Sequence, residues 1–250
     1  MKNTKVRKLI TRAVALLLVG TMAVTDLSVE TMASTVPETQ DLYIQTLGAD
    51  NSASILDKGF DRSQMSKEEK KKFDEVLELS FQQNKQVAKE NGWSKKEYLE
   101  NMEKMLNGSM EVEESEDGKM QMYSTETVTL EGGKKVKKKK KHGWLSVGAL
   151  ATAFNIILSV AVGAAGVGSL KAMVTQWGKE KAKEWVRSHI KRAIIDKVKF
   201  FIGTKAAKFA GGILIRIVNA CMNMDPGLWL ARQIDKRDKI PSNGYIEVFA

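Results

Sequence analysis

Apolar residues are unevenly placed along this chain: they concentrate after Gly143, while residues 34–131 are polar and rich in helix formers. Residues 34–60 show little periodicity and read as a loose leader. Helical spacing begins at Ser66, where Ser66-Lys67-Glu68-Glu69 fits a capping box. Phe73, Val76, Leu77, Ser80, Phe81, Asn84 and Ala88 then recur at helical spacing until the stop at Asn91-Gly92. A second capping box, Ser94-Lys95-Lys96-Glu97, opens a stripe of Tyr98, Leu99, Met102, Met105 and Leu106 that ends at Asn107-Gly108. Two antiparallel helices with facing stripes, an αα-hairpin, are the simplest prediction.

The period then changes. Glu111 to Asp117 is an acidic run of the kind that serves as solvated linker. Met122, Ser124, Glu126, Val128 and Leu130 alternate and predict a strand over 122–130. Gly132-Gly133 and the lysines Lys134, Lys135 and Lys137 to Lys141 read as a flexible linker over 134–142. Three roles compete for it: a protease-sensitive junction at Gly132, Gly133, Lys134 and Lys135, a contact with an anionic surface, or a nucleic-acid patch.

Gly143 to Leu170 contains no charged residue. As one helix rising ~1.5 Å per residue it would be long enough to cross a bilayer core of ~30 Å. Small residues at Ala161/Ala165 and Ala164/Gly168 would let helices approach closely in lipid. The competing prediction is a buried hairpin of a helical domain, turning at Gly163–Gly168. Lys179 to Ile202 is the clearest amphipathic pattern, with Ala182, Trp185, Val186, Ile190, Ala193, Ile194, Val198, Phe201 and Ile202 on one side. Its other face is mainly basic, a composition found both in interfacial membrane helices and in ordinary surface helices. A third apolar stretch, 203–222, is punctuated by Lys205, Lys208 and Arg216. Asp225-Pro226-Gly227 ends it, a short helix follows from Leu228 to Ile234, and Tyr245–Phe249 alternates as a terminal strand able to pair with 122–130. The predicted fold is mainly α with minor β.

Charge sharpens this division. Residues 34–133 hold 12 Lys/Arg and 21 Asp/Glu, a net of −9, whereas residues 134–250 hold 23 and 7, a net of +16. An acidic part able to neutralise a basic one is implied. The N-terminus has the pattern of a secretory signal: Lys2, Lys5, Arg7, Lys8 and Arg12 precede the uncharged run Ala13–Val24, with small residues at Thr31/Ala33 or Thr21/Ala23. Cleavage after Ala33 is the preferred site, and an uncleaved anchor is the competing form. The expected organisation is a signal over 1–33, an acidic pro-region over 34–133, the lysine linker, and a cationic helical domain over 143–250.

Catalytic and metal chemistry find no support. Cys221 is the only cysteine, so no internal disulfide exists, and its apolar neighbours suggest a small buried hydrophobe. Of the two histidines, His142 is expected in solvent and His189 as a packing residue. No HExxH, CxxC, GxSxG or P-loop spacing occurs. No catalytic, cofactor or metal residue is assigned, and export argues against a nucleic-acid partner.

The signal at Lys2–Ala33, the acidic region ending at Glu131 and the basic part Lys134–Met224 together resemble the architecture of secreted bacteriocin precursors of Gram-positive bacteria, closticin-like in arrangement. The resemblance spans the chain but rests on no motif. It implies membrane permeabilisation by a released C-terminal part, a processing protease and an immunity protein. The residues expected to meet an anionic target membrane are Lys137, Lys138, Lys139, Lys140, Lys141, Trp144, Phe154, Trp177, Lys183, Trp185, Arg187, Lys191 and Phe201. A lysine run exported just ahead of the apolar segment opposes insertion of that segment during export. The competing class is a cell-envelope helical protein that binds anionic polymers or a protein partner.

Overall fold

Both capping boxes form. In the computed structural model, which describes residues 36–116, 118–129 and 135–247, Ser66 and Ser94 each accept the backbone N–H three residues on, and Glu69 and Glu97 return the bond. They start α3 (Lys67–Gln83) and α5 (Lys95–Asn107), and Gly108 ends α5 in the left-handed conformation. A short helix, α4 (Lys85–Glu90), lies between them because α3 breaks at Asn84, whose side chain bonds Ser80 O at 2.9 Å. Glu78 with Lys95 at 2.6 Å and Ser80 with Tyr98 at 2.7 Å join the end of α3 to the start of α5, while Arg62 bridges Asp74, earlier in α3, and Glu103, later in α5. The hairpin is therefore antiparallel, as its facing stripes predict.

Residues 36–60 are not a loose leader. They hold α1 (Val36–Leu47) and α2 (Ala49–Asp57), and Tyr43, Leu47, Ile55 and Phe60 are all buried. Each helix contributes only a short buried row, Tyr43, Ile44 and Leu47 in α1 and Ser52 and Ile55 in α2, and the break at Gly48 keeps the two rows from registering as one stripe.

About five helical turns of uncharged chain form the centre. Ser146 caps α6 (Val147–Ala164) by accepting from Ala149 N at 3.1 Å, and every residue of α6 except Gly148 and Ala164 is buried. The helix is long and apolar enough to cross a membrane, with a mean hydropathy of 2.0, and 89% of that stretch lies inside the protein. Of the two predictions, the buried hairpin describes this arrangement, with the turn at Ala165–Ser169 leading to α7 (Leu170–Trp177). α1, α2, α3 and α5 pack on α6 from the acidic segment, and α12 (Pro226–Asp235) packs on it from the basic one. Two glycines allow close approaches to α6. A Cβ at Gly163 would lie 2.7 Å from Ser52 Oγ, and one at Gly227 would lie 2.5 Å from Ala151 O. Buried Asn155 fixes the second contact, donating to both Asp225 oxygens at 2.9 and 2.7 Å and accepting from Gly227 N at 3.0 Å.

The amphipathic stretch is helical throughout, as α8 (Lys179–Trp185), a π turn (Val186–Ile190) and α9 (Lys191–Ile202). Ala182, Val186, Ile190, Ile194 and Val198 are fully buried at an interval of four. An interval of four overshoots the 3.6-residue turn, so a pure α-helix would carry this row around its axis. The wider π turn takes up part of that drift. After α10 (Thr204–Ile213) and α11 (Ile217–Ala220), Asp225 caps α12 through Leu228 N at 2.6 Å.

β1 (Glu111–Glu114), β2 (Met120–Thr129) and β3 (Lys135–Trp144) form one antiparallel sheet in that order. Two linker expectations are thereby corrected: the acidic run supplies β1, and the lysine run supplies β3. The terminal segment does pair with the sheet's base, but not with 122–130. Met120 N donates to Ile246 O at 3.0 Å and Ile246 N to Leu145 O at 2.8 Å, so Ile246 joins the start of β2 and the residue after β3, which also bond each other through Leu145 N and Met120 O at 2.8 Å. Ser34–Ala250 forms one compact unit. The acidic pro-region and the cationic domain expected as separate parts contribute helices to the same core.

Candidate functional site

The lysine strand is built from its base outward. β2 and β3 pair in register from Tyr123↔Lys141 to Thr129↔Lys135, and an irregularity at Gln121/Tyr123 accommodates His142 and Gly143. Gly143 takes φ 93°, which a side chain would strain. His142 is not in solvent but 5% exposed, its Nε2 2.6 Å from Ser124 Oγ. Trp93 Nε1 donates to His142 O at 2.5 Å, and Lys104 Nζ donates to Ser124 Oγ at 3.1 Å. A serine and a histidine in contact invite a nucleophile–base reading. Both are buried beneath Trp93 and Lys104, so the pair anchors the strand's base to α5 rather than facing solvent.

Strand alternation then sorts the lysines. Ser124 is buried and its cross-strand partner is Lys140; Thr125 is exposed and its partner is Lys139. Residues opposite each other share a face. Lys135, Lys137, Lys139 and Lys141 therefore line the open face with Thr129, Thr127, Thr125 and Tyr123, while Lys138 and Lys140 lie on the other. The positive charge of Lys140 helps hold the Glu97 carboxyl below its ordinary range, after the bonds to Ser94 that are the main cause. On the open face a strand repeat of two residues puts successive ammonium groups roughly 7 Å apart. Lys135 and Lys137 to Lys141 are all exposed.

The acidic run answers this row at one end only. β1 pairs β2 from Glu111↔Tyr123 to Glu114↔Met120 and stops there. Glu113 bonds Lys139, raising the lysine's pKa, and Glu111 accepts from Thr125 Oγ1 at 2.8 Å. The Lys139 ammonium also lies 5.6 Å from the Tyr123 ring centroid. Among the described residues, Lys135, Lys137 and Lys141 meet no carboxylate. Lys135 and Lys137 thus stand unpaired on the part of the β2–β3 ribbon that extends beyond β1, and Lys141 stands unpaired opposite Tyr123, where the β1 pairing ends.

The other expected contact residues are dispersed. Trp144 is half-buried at the strand's end, with Lys119 Nζ 5.7 Å from its ring and 5.1 Å from that of Tyr245. Phe154 is 1% exposed in the centre of α6 and is unavailable to any surface in this fold. Trp177 and Trp185 meet edge to face at 6.4 Å, and His189 stacks on Trp185 at 4.9 Å. His189 is exposed, so the packing role expected of it is limited to that stacking on its own helix. Lys183 pairs with Glu180 at 2.7 Å, Arg187 is exposed, and Lys191 stands half-exposed on α9. The side chain of Phe201, and the proposed processing residues Gly132, Gly133 and Lys134, lie outside the described residues; Lys135 is the first residue of β3. Cys221 is buried as expected, its thiol pushed up to about 11 by burial.

Sequence reasoning missed Tyr123, Thr125 and Thr127 as the floor of the lysine row. The signal was present: a β-rich run and a basic run flank Gly132-Gly133, the arrangement of a hairpin. It was hidden because lysine has low strand preference. A buried acidic group was also missed. Asp235, Asp238 and Glu247 are all at most 5% exposed; burial, reinforced by Glu247 and Asp235, pushes the Asp238 carboxyl up to about 7. Compared with profiles of protein families, with curated proteins and with solved structures, the chain matches none.

Proposed function

We propose that the chain is an exported, envelope-associated protein that binds anionic polymers through the open face of the β2–β3 ribbon. The row Lys135, Lys137, Lys139 and Lys141, fixed in strand geometry and only partly answered by β1, carries this reading. A linear polyanion suits a row of separate ammonium groups better than a compact ion does, because each charge meets its own partner along the strand. The rigid base at His142, Ser124 and Trp93 reduces the ordering cost of such a contact. Attraction of roughly 1 kcal/mol per lysine near an anionic surface would make the row a useful anchor.

A second reading, the antibacterial precursor, is supported by a separate observation. α1 and α2, from the acidic segment, pack directly on the apolar α6. Removal of residues 34–133 would uncover the helix best suited to enter lipid, and the acidic segment would be its restraint.

One set of measurements separates the two. The intact protein is titrated with poly(glycerol phosphate) at low and physiological salt, beside the quadruple variant Lys135→Gln, Lys137→Gln, Lys139→Gln, Lys141→Gln. The ribbon reading expects salt-sensitive binding and at least about a tenfold loss in the variant; equal binding by the two proteins overturns it. Dye release from anionic vesicles by protein nicked at 131–134, and none by intact protein, would favour the precursor reading instead.

A further inference from the structure

A second cationic site lies away from the ribbon, where α9 and α10 fold back on each other around Gly203. Lys191, Ile195 and Lys199 recur at an interval of four on α9 and face Thr204, Ala207, Lys208, Gly211 and Gly212 on α10. These residues line a cleft of about 450 Å³ with no acidic member. Among the described residues, none of the three ammonium groups pairs with a carboxylate. Three like charges around one cleft repel each other, and an anion between them would remove that repulsion.

The floor of the cleft is as distinctive as its rim. A Cβ at Gly211 would lie 2.6 Å from Ile195 Cδ1 and 3.6 Å from Lys191 Cε, so glycine lets both side chains rest directly on the α10 backbone. At Gly212 a Cβ would meet nothing within 4 Å, which leaves open space beside Lys208. Ile195 and Ala207 make the floor apolar. No side chain caps the start of α10, so its first N–H groups add partial positive charge beside Thr204 and Lys199. A hydrated inorganic ion has no use for an apolar floor. A phosphate ester bearing a small aliphatic group satisfies both the lysines and the floor.

We propose that the α9–α10 cleft binds such a phosphate ester, with Lys191, Lys199 and Lys208 on the phosphate and Ile195, Ala207 and the glycine pair beneath the aliphatic part. The same group occurs as a lipid headgroup and as a free ester, and the test includes both. The intact chain is titrated by calorimetry with glycerol phosphate, and its sedimentation is measured with phosphatidylglycerol vesicles and with phosphatidylcholine vesicles. Two cleft variants are compared: the triple Lys191→Gln, Lys199→Gln, Lys208→Gln, and Gly212→Leu, which adds an apolar side chain at the cleft's open edge, keeps the charge and favours the helix. The expected result is binding to glycerol phosphate, to phosphatidylglycerol vesicles or to both, reduced at least tenfold in each cleft variant and unchanged in the ribbon quadruple variant. Binding to vesicles alone assigns the site to the headgroup; binding to both assigns it to the ester itself. Three outcomes overturn the proposal: no binding to either ligand, binding by Gly212→Leu equal to the parent's, or loss in the ribbon variant equal to that in the triple. The last two would attribute the affinity to the general positive field, and none of them bears on polymer binding by the ribbon.

Discussion

α6 and β3 are the two compositional extremes of this chain, one without a charge and the other with six lysines among its ten residues, and they sit at opposite extremes of exposure. Both attract a membrane reading from their sequence. In the fold, α6 is enclosed by helices drawn from both the acidic and the basic segments, whereas β3 is a sheet edge in water. The difference lies in their partners. An apolar helix is satisfied by any apolar surface, and α1, α2 and α12 supply it. A lysine strand satisfies its backbone through β2 on one side, leaves its side chains to solvent, and keeps its outer edge from pairing with other chains by charge.

The comparison can be broken by substitution. The largest effect is expected at the α6–α12 contact: Gly227→Ala drives a methyl group into Ala151 O and Asn155. Phe154→Ala empties the core beside it, and such truncations cost about 3–5 kcal/mol. Chemical denaturation of the intact chain should show both as large losses; a change under 1 kcal/mol in either would mean that α6 is not the centre of the fold. Removing a hairpin cap, Ser66→Ala or Ser94→Ala, should cost about 1 kcal/mol, because each orphans an N–H at a helix start. On the ribbon, Lys137→Ala should move stability by no more than about 0.5 kcal/mol, as for an exposed side chain without a partner. A larger loss there would erase the contrast.

Acidity probes the comparison from the terminal segment. The Asp238 carboxyl is raised above its unfolded value chiefly by burial and then by Glu247 and Asp235. The folded state therefore holds a proton that the unfolded state releases between about pH 4 and pH 7. Stability from this group is present below that window and is lost as pH rises through about 7. Thermal melts should show Tm falling from pH 5 to pH 7.5, and Asp238→Asn should flatten that fall. An unchanged slope in the variant would place the titration elsewhere.

The sequence made the helices legible where a cap and a stripe coincide. Ser66 and Glu69, like Ser94 and Glu97, specify a start independently of the rest of the fold, and both helices begin where those residues predict. The amphipathic stretch Lys179–Ile202 was equally plain, except for the π turn, which depends on how the row Ala182 to Val198 meets α6 and the residues around it. Legibility failed where an element exists only through its partner. α1 and α2 are short and weakly patterned; burial of Tyr43, Leu47 and Ile55 against α6 makes them helices. β3 is a strand because β2 is beside it, although five consecutive lysines argue locally for a solvated loop. His142 followed the same error, since its burial depends on Trp93 and Ser124, which are distant in sequence. The lysine row was visible as charge, but the division into an open and an inner face required the register with β2.

The β2–β3 pairing has a consequence for any cut made between its strands. Residues on both sides of such a nick would still be joined by ladder hydrogen bonds, by Glu113 with Lys139, and by α1 and α2 on α6. A protein nicked there would behave as a split protein, running as two bands under denaturing conditions and as one species on gel filtration. A protease alone would then produce a non-covalent heterodimer rather than a liberated peptide. Release would await a second event that separates the fragments, and a lipid surface competing for α6 has the chemistry to supply one.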